Sequence, residues 1–285
     1  MELTADELTE ARAVIARALD EDLRYGPDVT TVVTVPADAT TTASMVTRQA
    51  GVVAGVDVAL LVLDEVLGPD GYQVVDRVSD GTRLDTGAAL LTVESGTQGL
   101  LTAERTMLNL VCHLSGIATA TAQWVAAVEG TKAKIRDTRK TLPGLRALQK
   151  YAVRVGGGVN HRMGLGDAAL IKDNHVAAAG SVVAALRAVR TAAPQLPCEV
   201  EVDSLEQLDE VLAEDVELVL LDNFAIWQAQ MAVQRRDARA SHIKLEASGG
   251  LTLDTAGAYA GTGVDYLAVG SLTHSVRALD IGLDI

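Results

Sequence analysis

The stretch from residue 134 to residue 175 concentrates basic side chains in a chain that is otherwise strongly acidic. It holds nine Arg or Lys residues against three Asp, a local excess of six positive charges in a chain whose formal net charge is -14. Part of this excess is typical of a solvated helix face, but Arg139, Lys140, Arg162 and Lys172 lie beside apolar runs and Gly-rich turns. Arginine suits bidentate recognition of planar carboxylates, and lysine suits phosphate as a point charge. The pattern predicts a site for a small polyanion.

Two acidic residues stand at the ends of later apolar runs, where the basic site would need them. Glu201 lies near the end of the run 198–203, and Asp222 near the end of the run 216–223. Acids inside a basic anion site are typical of residues that bind ribose hydroxyls, or that hold a Mg²⁺ ion bridging phosphates.

Small residues follow the last two apolar runs. Ser248, Gly249 and Gly250 follow the first of them, and Gly270 and Ser271 follow the second. Glycine lets backbone N–H groups approach an anion closely, and a following helix N-terminus adds positive potential, so a phosphate site is predicted. Each pair taken alone is equally well explained as a helix-entry turn.

The histidines and cysteines give weaker signals. His161 follows a triple glycine and precedes Arg162, which makes it a site candidate, and His175 and His274 follow strand ends, where a phosphate would lie. His113 is predicted on a helix face and His242 in a surface turn. The spacing of the histidines and acids does not match a zinc site, and the sequence has no G-x-S-x-G or Cys–His pattern of a nucleophile.

The second half of the chain alternates between apolar runs and helical segments. Six candidate strands are predicted, at 133–138, 168–174, 198–203, 216–223, 243–248 and 264–270. Helices are predicted between them, at 145–155, 181–193, 205–213, 225–239 and 252–260. Strands that are apolar throughout and alternate with helices indicate a parallel sheet covered on both faces, here a complete or an incomplete α/β barrel. Because ligands bind at the carboxyl ends of such strands, the polar residues at these ends are expected to form one site.

The first part of the chain has a different pattern and is expected to form a separate α+β domain. A helix is predicted at 4–20, turns at 20–31, short strands at 43–47, 52–54, 72–78 and 89–93, and a helix at 56–67. A long helix with Thr102 as its N-cap is expected to run to about residue 129 and to lead into the second domain. The predicted domains are 1–112 and 113–285, and the last ~15 residues are a candidate for packing back on the first domain.

Composition excludes several classes of protein. With 48% hydrophobic and 22% charged residues the chain is typical of a globular protein, and a pI near 4.7 argues against binding to nucleic acid or to an anionic membrane. No consecutive apolar run approaches the ~18 residues that a bilayer span needs, and the acidic N-terminus is unlike a signal peptide. Two cysteines without metal spacing favour a reducing compartment, so a cytoplasmic protein is expected.

Five motifs, taken together and in order, resemble the quinolinate phosphoribosyltransferase family. They are D-T-R-K-T-L-P-G-L-R at 137–146, G-G-G-V-N-H-R-M-G-L at 156–165, I-K-D-N-H at 171–175, L-L-D-N at 220–223 and L-E-A-S-G-G at 245–250. The resemblance extends from about Arg105 to residue 285, and R-Y-G-P-D-V-T-T at 24–31 is also similar to the family.

The resemblance implies an N-terminal α+β open-faced sandwich domain and an incomplete barrel of about six to seven strands. It implies a homodimer, or an assembly of dimers, in which the N-terminal domain of one subunit covers the barrel mouth of the other. It implies that quinolinate and phosphoribosyl pyrophosphate react in the presence of Mg²⁺ to give nicotinate mononucleotide, pyrophosphate and CO₂, a step of NAD biosynthesis.

The resemblance also implies a role for each candidate residue. The quinolinate group would be Arg139, Arg162, Lys172 and His161, with Thr138 among the substrate-binding residues and Arg105 contributed by the partner subunit. Lys140 would bind pyrophosphate and take part in catalysis. Glu201 and Asp222 would bind ribose and magnesium. The 5′-phosphate would be bound by Ser248, Gly249, Gly250, Gly270, Ser271 and His274.

Two other functions fit parts of the pattern. A transferase that acts on nicotinate would use the same scaffold, but one carboxylate does not need so many cations. A non-catalytic barrel that binds a phosphorylated metabolite would not need Lys140, Glu201 and Asp222 together. Turnover of the two acids and release of pyrophosphate would separate these functions from the first.

Overall fold

The computed structural model describes residues 1–214 and 216–285, which form two compact units. The first unit contains residues 1–122, 141–157 and 272–285, and the second contains residues 123–140 and 158–271. The units therefore interleave along the chain, whereas the predicted domains divide once, at residue 112. The last residues belong to the first unit, and so do residues 141–157, which the sequence had assigned to the barrel.

The elements are numbered in chain order. The helices are α1 Ala5–Leu23, α2 Val29–Thr34, α3 Val56–Leu67, α4 Thr97–Ala127, α5 Arg146–Val155, α6 Asp173–Ala179, α7 Val182–Ala192, α8 Leu205–Val211, α9 Ile226–Arg239, α10 Leu253–Gly261 and α11 Ser271–His274. The strands are β1 Thr40–Thr47, β2 Gly51–Val52, β3 Tyr72–Arg77, β4 Arg83–Leu84, β5 Ala89–Gly96, β6 Lys134–Arg136, β7 Ala169–Ile171, β8 Cys198–Val202, β9 Leu218–Asp222, β10 Lys244–Ser248, β11 Tyr266–Ala268 and β12 Ile281–Asp284.

An antiparallel sheet in the order β12-β1-β5-β3 forms the first unit's main β-layer. Alternate residues of β1 and β5 are buried, among them Met45, Leu91 and Val93, as expected for a sheet with one face in a core. β2 and β4 form a separate two-stranded pair. The predicted α+β organisation of this part is confirmed, but β12, α2 and α11 were not predicted.

A part-buried hydrogen-bond network ties α5 to other residues of the first unit. The Asp80 carboxylate accepts hydrogen bonds from the backbone N–H groups of Gly55 and Val56, at 2.6 and 3.0 Å, where α3 begins. The Tyr151 hydroxyl of α5 donates to the same carboxylate at 2.7 Å. Burial raises the pKa of Asp80. The network satisfies orphan donors at the start of α3 and ties residues 141–157 to the N-terminal part of the chain.

Helix α4 begins earlier than predicted. It starts at Thr97, and the predicted N-cap, Thr102, lies inside it with its hydroxyl donating to the carbonyl of Gln98 at 3.1 Å. By length and composition alone, α4 is also long and apolar enough to cross a membrane, although it contains no consecutive apolar run of that length. More than half of this apolar window is buried inside the protein, as in a core helix.

The second unit is built on a parallel sheet in the order β6-β11-β10-β9-β8-β7. This is the cyclic order of a barrel with one contact missing, because among the described residues β6 and β7 are the sheet's edges. Val159 forms an isolated parallel bridge with Arg136 beside β6. All six predicted strands are present, each within the predicted range, and the predicted incomplete parallel barrel is confirmed.

Candidate functional site

A cavity of about 310 Å³ lies in the second unit, at the carboxyl ends of the parallel strands. Asp222, Ser248 and Ala268 are the last residues of β9, β10 and β11. The residues lining the cavity are Thr138, Arg139, Lys140, His161, Arg162, Leu170, Lys172, Glu201, Leu220, Asp222, Glu246, Ser248 and Ala268. Nine of these thirteen were predicted from the sequence as site residues. These nine residues therefore lie together around one cavity, and their roles in a site stay predictions.

Two guanidinium groups share the cavity, and their interaction favours an anion. The pKa of Arg162 is lowered, first by burial and then by the nearby positive charge of Arg139. Arg162 donates through Nη1 to the carbonyl of Ala168 at 2.8 Å, whereas the Nε atoms of both arginines are buried without a hydrogen-bond partner. A bound dicarboxylate would relieve the repulsion and accept the unused N–H groups.

One lysine and two acids lie at the ends of the next three strands, β7, β8 and β9. The ammonium of Lys172, which follows β7, forms an ion pair with the Glu201 carboxylate of β8. Asp222 accepts a hydrogen bond from the side-chain amide of Asn223 at 2.8 Å. The side chain of Lys172 is half-exposed and that of Glu201 is mostly buried, while Asp222 is partly buried. The cavity thus has a cationic side and a carboxylate side, which suits a substrate that carries both acid groups and hydroxyls.

The segment after β7 is a helix and not the end of a strand. Lys172 is the N-cap of α6, and its backbone N–H donates to Nδ1 of His175 at 2.9 Å. The predicted strand 168–174 was therefore too long. The bond that His175 accepts makes it part of a helix cap.

The remaining predicted site residues do not line this cavity. Gly249, Gly250, Gly270 and Ser271 follow β10 and β11 in the second unit, with Ser271 opening the short helix α11. Arg105 is exposed on α4 and His274 is exposed on α11, and both belong to the first unit. Of the other histidines, His113 of α4 is hydrogen-bonded with Gln149 at 2.8 Å, and His242 is exposed in a turn, as predicted.

Sequence reasoning assigned no role to a buried acid pair at the cavity, of which Glu246 lines the wall. Glu199 of β8 and Glu246 of β10 are 5% and 0% exposed, and burial raises the pKa of each to about 7. Arg136 donates from Nη1 to Glu246 Oε2 at 2.5 Å, and His161 Nε2 lies 2.8 Å from Glu199 Oε2. The available signal for Glu199 was its spacing, because it lies two residues before Glu201 on β8 and therefore on the same face of the sheet.

Both parts of the chain match known family models. Residues 117–284 match the quinolinate phosphoribosyl transferase C-terminal domain, and residues 28–115 match the N-terminal domain of the same family. The chain belongs to the quinolinate phosphoribosyl transferase family. The predicted membership is confirmed, and with it the prediction of an enzyme of the pentosyltransferase class.

Relatives support the assignment over the whole chain. The chain is 75% identical to the nicotinate-nucleotide pyrophosphorylase (carboxylating) of Mycobacterium leprae over 98% of both chains. It is 42% identical to a probable nicotinate-nucleotide pyrophosphorylase of Bacillus subtilis over 85% of this chain and 83% of that protein. The fold is similar to the structure of the nicotinate-nucleotide pyrophosphorylase from Francisella tularensis, with a TM-score of 0.91 at 36% identity over 97% and 96% of the two chains.

Proposed function

We propose that this chain transfers the phosphoribosyl group of phosphoribosyl pyrophosphate to quinolinate and removes one carboxylate as CO₂. The products are nicotinate mononucleotide, pyrophosphate and CO₂, and the reaction supplies NAD biosynthesis. The observation that carries the proposal is the pair Arg139 and Arg162, whose mutual repulsion inside one cavity is best relieved by a dianion. Nicotinate, with one carboxylate, would use this pair less fully.

Quinolinate binds on the cationic side of the cavity. Arg139, Arg162 and Lys172 supply positive charge for its two carboxylates, and Thr138 offers a hydroxyl at the same wall. The Thr138 hydroxyl already accepts the backbone N–H of Lys140 at 3.0 Å, so its own proton can be donated to substrate.

The ribose binds on the carboxylate side, at Glu201 and Asp222. These carboxylates also suit Mg²⁺, a hard cation that takes oxygen ligands and usually binds through one or two carboxylates together with substrate phosphates. When bound with pyrophosphate, the ion would supply positive charge to the leaving group. Lys140, which is exposed at the rim of the cavity, adds a further cation for pyrophosphate.

The 5′-phosphate binds at the small residues after the last strands. Ser248 lines the cavity, and Gly249 and Gly250 continue from it with positive φ angles of 88° and 62°. We assign Gly270, Ser271 and His274 to the same phosphate. Backbone N–H groups of such turns favour a phosphate dianion.

The chemistry needs no covalent enzyme intermediate. The ring nitrogen of quinolinate donates its electron pair to the anomeric carbon while the bond to pyrophosphate breaks. Positive charge develops on the ribose, where Glu201 and Asp222 stabilise it. In the resulting pyridinium the bond from the ring to the adjacent carboxylate breaks, CO₂ leaves, and its electron pair stays on the ring carbon beside the cationic nitrogen. A proton taken up at that carbon completes nicotinate mononucleotide.

The working enzyme is a homodimer, or an assembly of dimers, in which Arg105 of each subunit serves the site of its partner. Exposed apolar side chains in the first unit support self-association, among them Tyr25 at 90% exposure and Val33 at 72%. The acidic chain and its two free cysteines favour the cytoplasm.

The test is release of labelled CO₂ from carboxyl-labelled quinolinate, with phosphoribosyl pyrophosphate and Mg²⁺ each present or omitted. The expected result is release only with all components, matched mole for mole by nicotinate mononucleotide. Nicotinate is assayed in parallel as acceptor. Turnover of nicotinate at a rate equal to that of quinolinate would contradict the proposal. Binding of quinolinate without release of pyrophosphate or CO₂ would contradict it too.

A further inference from the structure

His161 uses both ring nitrogens within the protein. Its Nδ1 accepts the backbone N–H of Arg162 at 2.7 Å, so Nδ1 carries no proton. The proton of the neutral ring is therefore on Nε2, which lies 2.8 Å from Oε2 of Glu199 and donates to it. A doubly protonated ring would lose the bond from Arg162, since both nitrogens would then be donors.

This tautomer decides between two functions for the buried cluster. One donor atom from each of His161, Glu199 and Glu246 lies within 4.8 Å of the others, a group that could hold a metal ion. Coordination through Nε2 requires a free electron pair there and moves the ring proton to Nδ1, where it would face the N–H of Arg162. The geometry therefore favours a hydrogen-bond network over a metal site.

The backbone on the other side of His161 is fixed as well. The Asp137 carboxylate, which is fully buried, accepts the N–H of His161 at 2.8 Å and the side-chain amide of Asn160 at 2.5 Å. Val159 is bridged to β6. The chain thus enters the cavity wall on a rigid support, and the imidazole of His161 extends that support to the next peptide, that of Arg162.

Burial of the Glu199 carboxylate costs desolvation free energy, and its packing gives no reason for a carboxylate at this position. It is 5% exposed, and its Oε1 is buried without a hydrogen-bond partner. Buried carboxylates of this kind are costly for stability and are retained where they serve a site. Its hydrogen bond to His161 is the contact through which it reaches the cavity.

We propose that Glu199 is a positioning residue for quinolinate recognition, acting through His161. Glu199 fixes the orientation of the imidazole, the imidazole holds the peptide of Arg162, and that peptide sets where the Arg162 guanidinium enters the cavity. His161 then serves as a support for Arg162 and does not donate a ring proton to substrate. The inference rests on the proposed assignment of Arg162 to quinolinate.

Two variants of Glu199 test the role. Glu199→Gln keeps an oxygen that accepts the Nε2 proton, and Glu199→Leu removes the acceptor at similar volume. The expected KM for quinolinate is within about threefold of the original for Glu199→Gln, and at least about tenfold higher for Glu199→Leu, since each tenfold corresponds to about 1.4 kcal/mol, the scale of one buried hydrogen bond. The KM for phosphoribosyl pyrophosphate should not change in either variant.

A merely structural role would give a different pattern. Folding damage lowers the melting temperature and the active fraction, and so lowers kcat, without a selective change in the KM for quinolinate. An unchanged KM for quinolinate in folded Glu199→Leu would overturn the proposal. Failure of the proposed function is separate, because it would appear as absent quinolinate turnover in the unaltered protein.

The tautomer can be measured even if Glu199→Leu does not fold. Nitrogen-15 NMR of the unaltered protein with labelled histidine, with the His161 signals assigned by their absence in His161→Asn, should show a protonated Nε2 and an unprotonated Nδ1. A proton on Nδ1 would overturn the proposal. Stoichiometric binding of Zn²⁺ that is lost in Glu199→Gln would overturn it too, because coordination requires the other tautomer.

Discussion

A Cβ atom on Gly249 would lie 2.2 Å from Oδ1 of Asn223. The turn after β10 is thus packed directly on the turn after β9, and the two are also joined by the N–H of Asn223, which donates to the carbonyl of Ser248 at 2.9 Å. Asn223 has φ +55° and Gly249 φ +88°, both in the left-handed region. Two neighbouring strand ends therefore form one continuous backbone surface directly after Asp222 and Ser248, which line the cavity.

Gly249→Ala should disturb that surface more than Gly250→Ala. Both positions have positive φ, which costs a residue with a Cβ roughly 1–2 kcal/mol, but a Cβ at Gly250 meets nothing within 4 Å. Only Gly249→Ala must also displace Asn223. The measurement is the free energy of unfolding together with the KM for phosphoribosyl pyrophosphate. Equal effects of the two variants would show that the close approach to Asn223 is not used.

Arg139→Ala should weaken quinolinate binding. Removing one partner of a desolvated charge pair costs roughly 2 kcal/mol or more, about thirtyfold in the dissociation constant. The check is calorimetric titration of quinolinate, with Arg12→Ala, an exposed arginine of α1, as the matched control. Unchanged affinity in Arg139→Ala would remove this residue from the proposed dicarboxylate site.

Glu201→Gln should lower kcat. The amide still accepts a bond from Lys172 but no longer offers a negative charge to the developing cation on the ribose. Loss of one preorganised electrostatic group typically costs about 10²–10³ in kcat. The control is Glu214→Gln, which neutralises a comparable acid paired with exposed Arg187. Steady-state kinetics with both substrates saturating separate the variants, and a kcat equal to that of the control would speak against the assigned role.

Tyr151→Phe should destabilise the first unit. The hydroxyl donates to the part-buried carboxylate of Asp80 at 2.7 Å and lies 2.8 Å from the carbonyl of Met1. The carboxylate keeps its bonds from Gly55 and Val56, so the variant loses one hydrogen bond to a charged group, which contributes about 1.5–3 kcal/mol. Chemical denaturation measures the loss, and Tyr25→Phe, at a side chain that is 90% exposed, should be neutral. If the two variants were equally stable, the network would not be what holds α5 in place.

The buried acid pair should make stability fall as pH rises. The pKa of Glu199 and of Glu246 is raised from 4.5 to about 7 in the folded protein, chiefly by burial. Between these values the folded state retains protons that the unfolded chain has already lost, so the free energy of unfolding decreases with pH across that range.

Glu199→Gln should flatten this slope, because one titrating group is removed. The measurement is urea unfolding of the unaltered protein and of the variant at pH values spanning that range. Groups common to both cancel in the difference between their free energies of unfolding. Carboxyls with a lowered pKa, such as Asp265, lose their contribution at lower pH and do not obscure the slope. A steeper fall in the variant would contradict the raised pKa values.

The fold and most of the cavity could be predicted because the signals are local. Each barrel strand is a short apolar run, and ligands bind at strand ends, so Arg139, Lys172 and Asp222 follow from position alone. Glu199 and Glu246 could not be found this way, since their chemistry depends on burial and on facing neighbours from other strands. The position of α5 was equally hidden, because an amphipathic helix does not reveal which core its apolar face covers.

The strand β12 pairs with β1, although the entire second unit lies between them along the chain. On the ribosome, β1, β3 and β5 emerge long before β12, the strand that completes their sheet. The first unit must therefore wait, with the edge of β1 unpaired, until the second has been synthesised. The position of β12 thus sets an order of assembly for this enzyme, because the first unit is synthesised first and completed last.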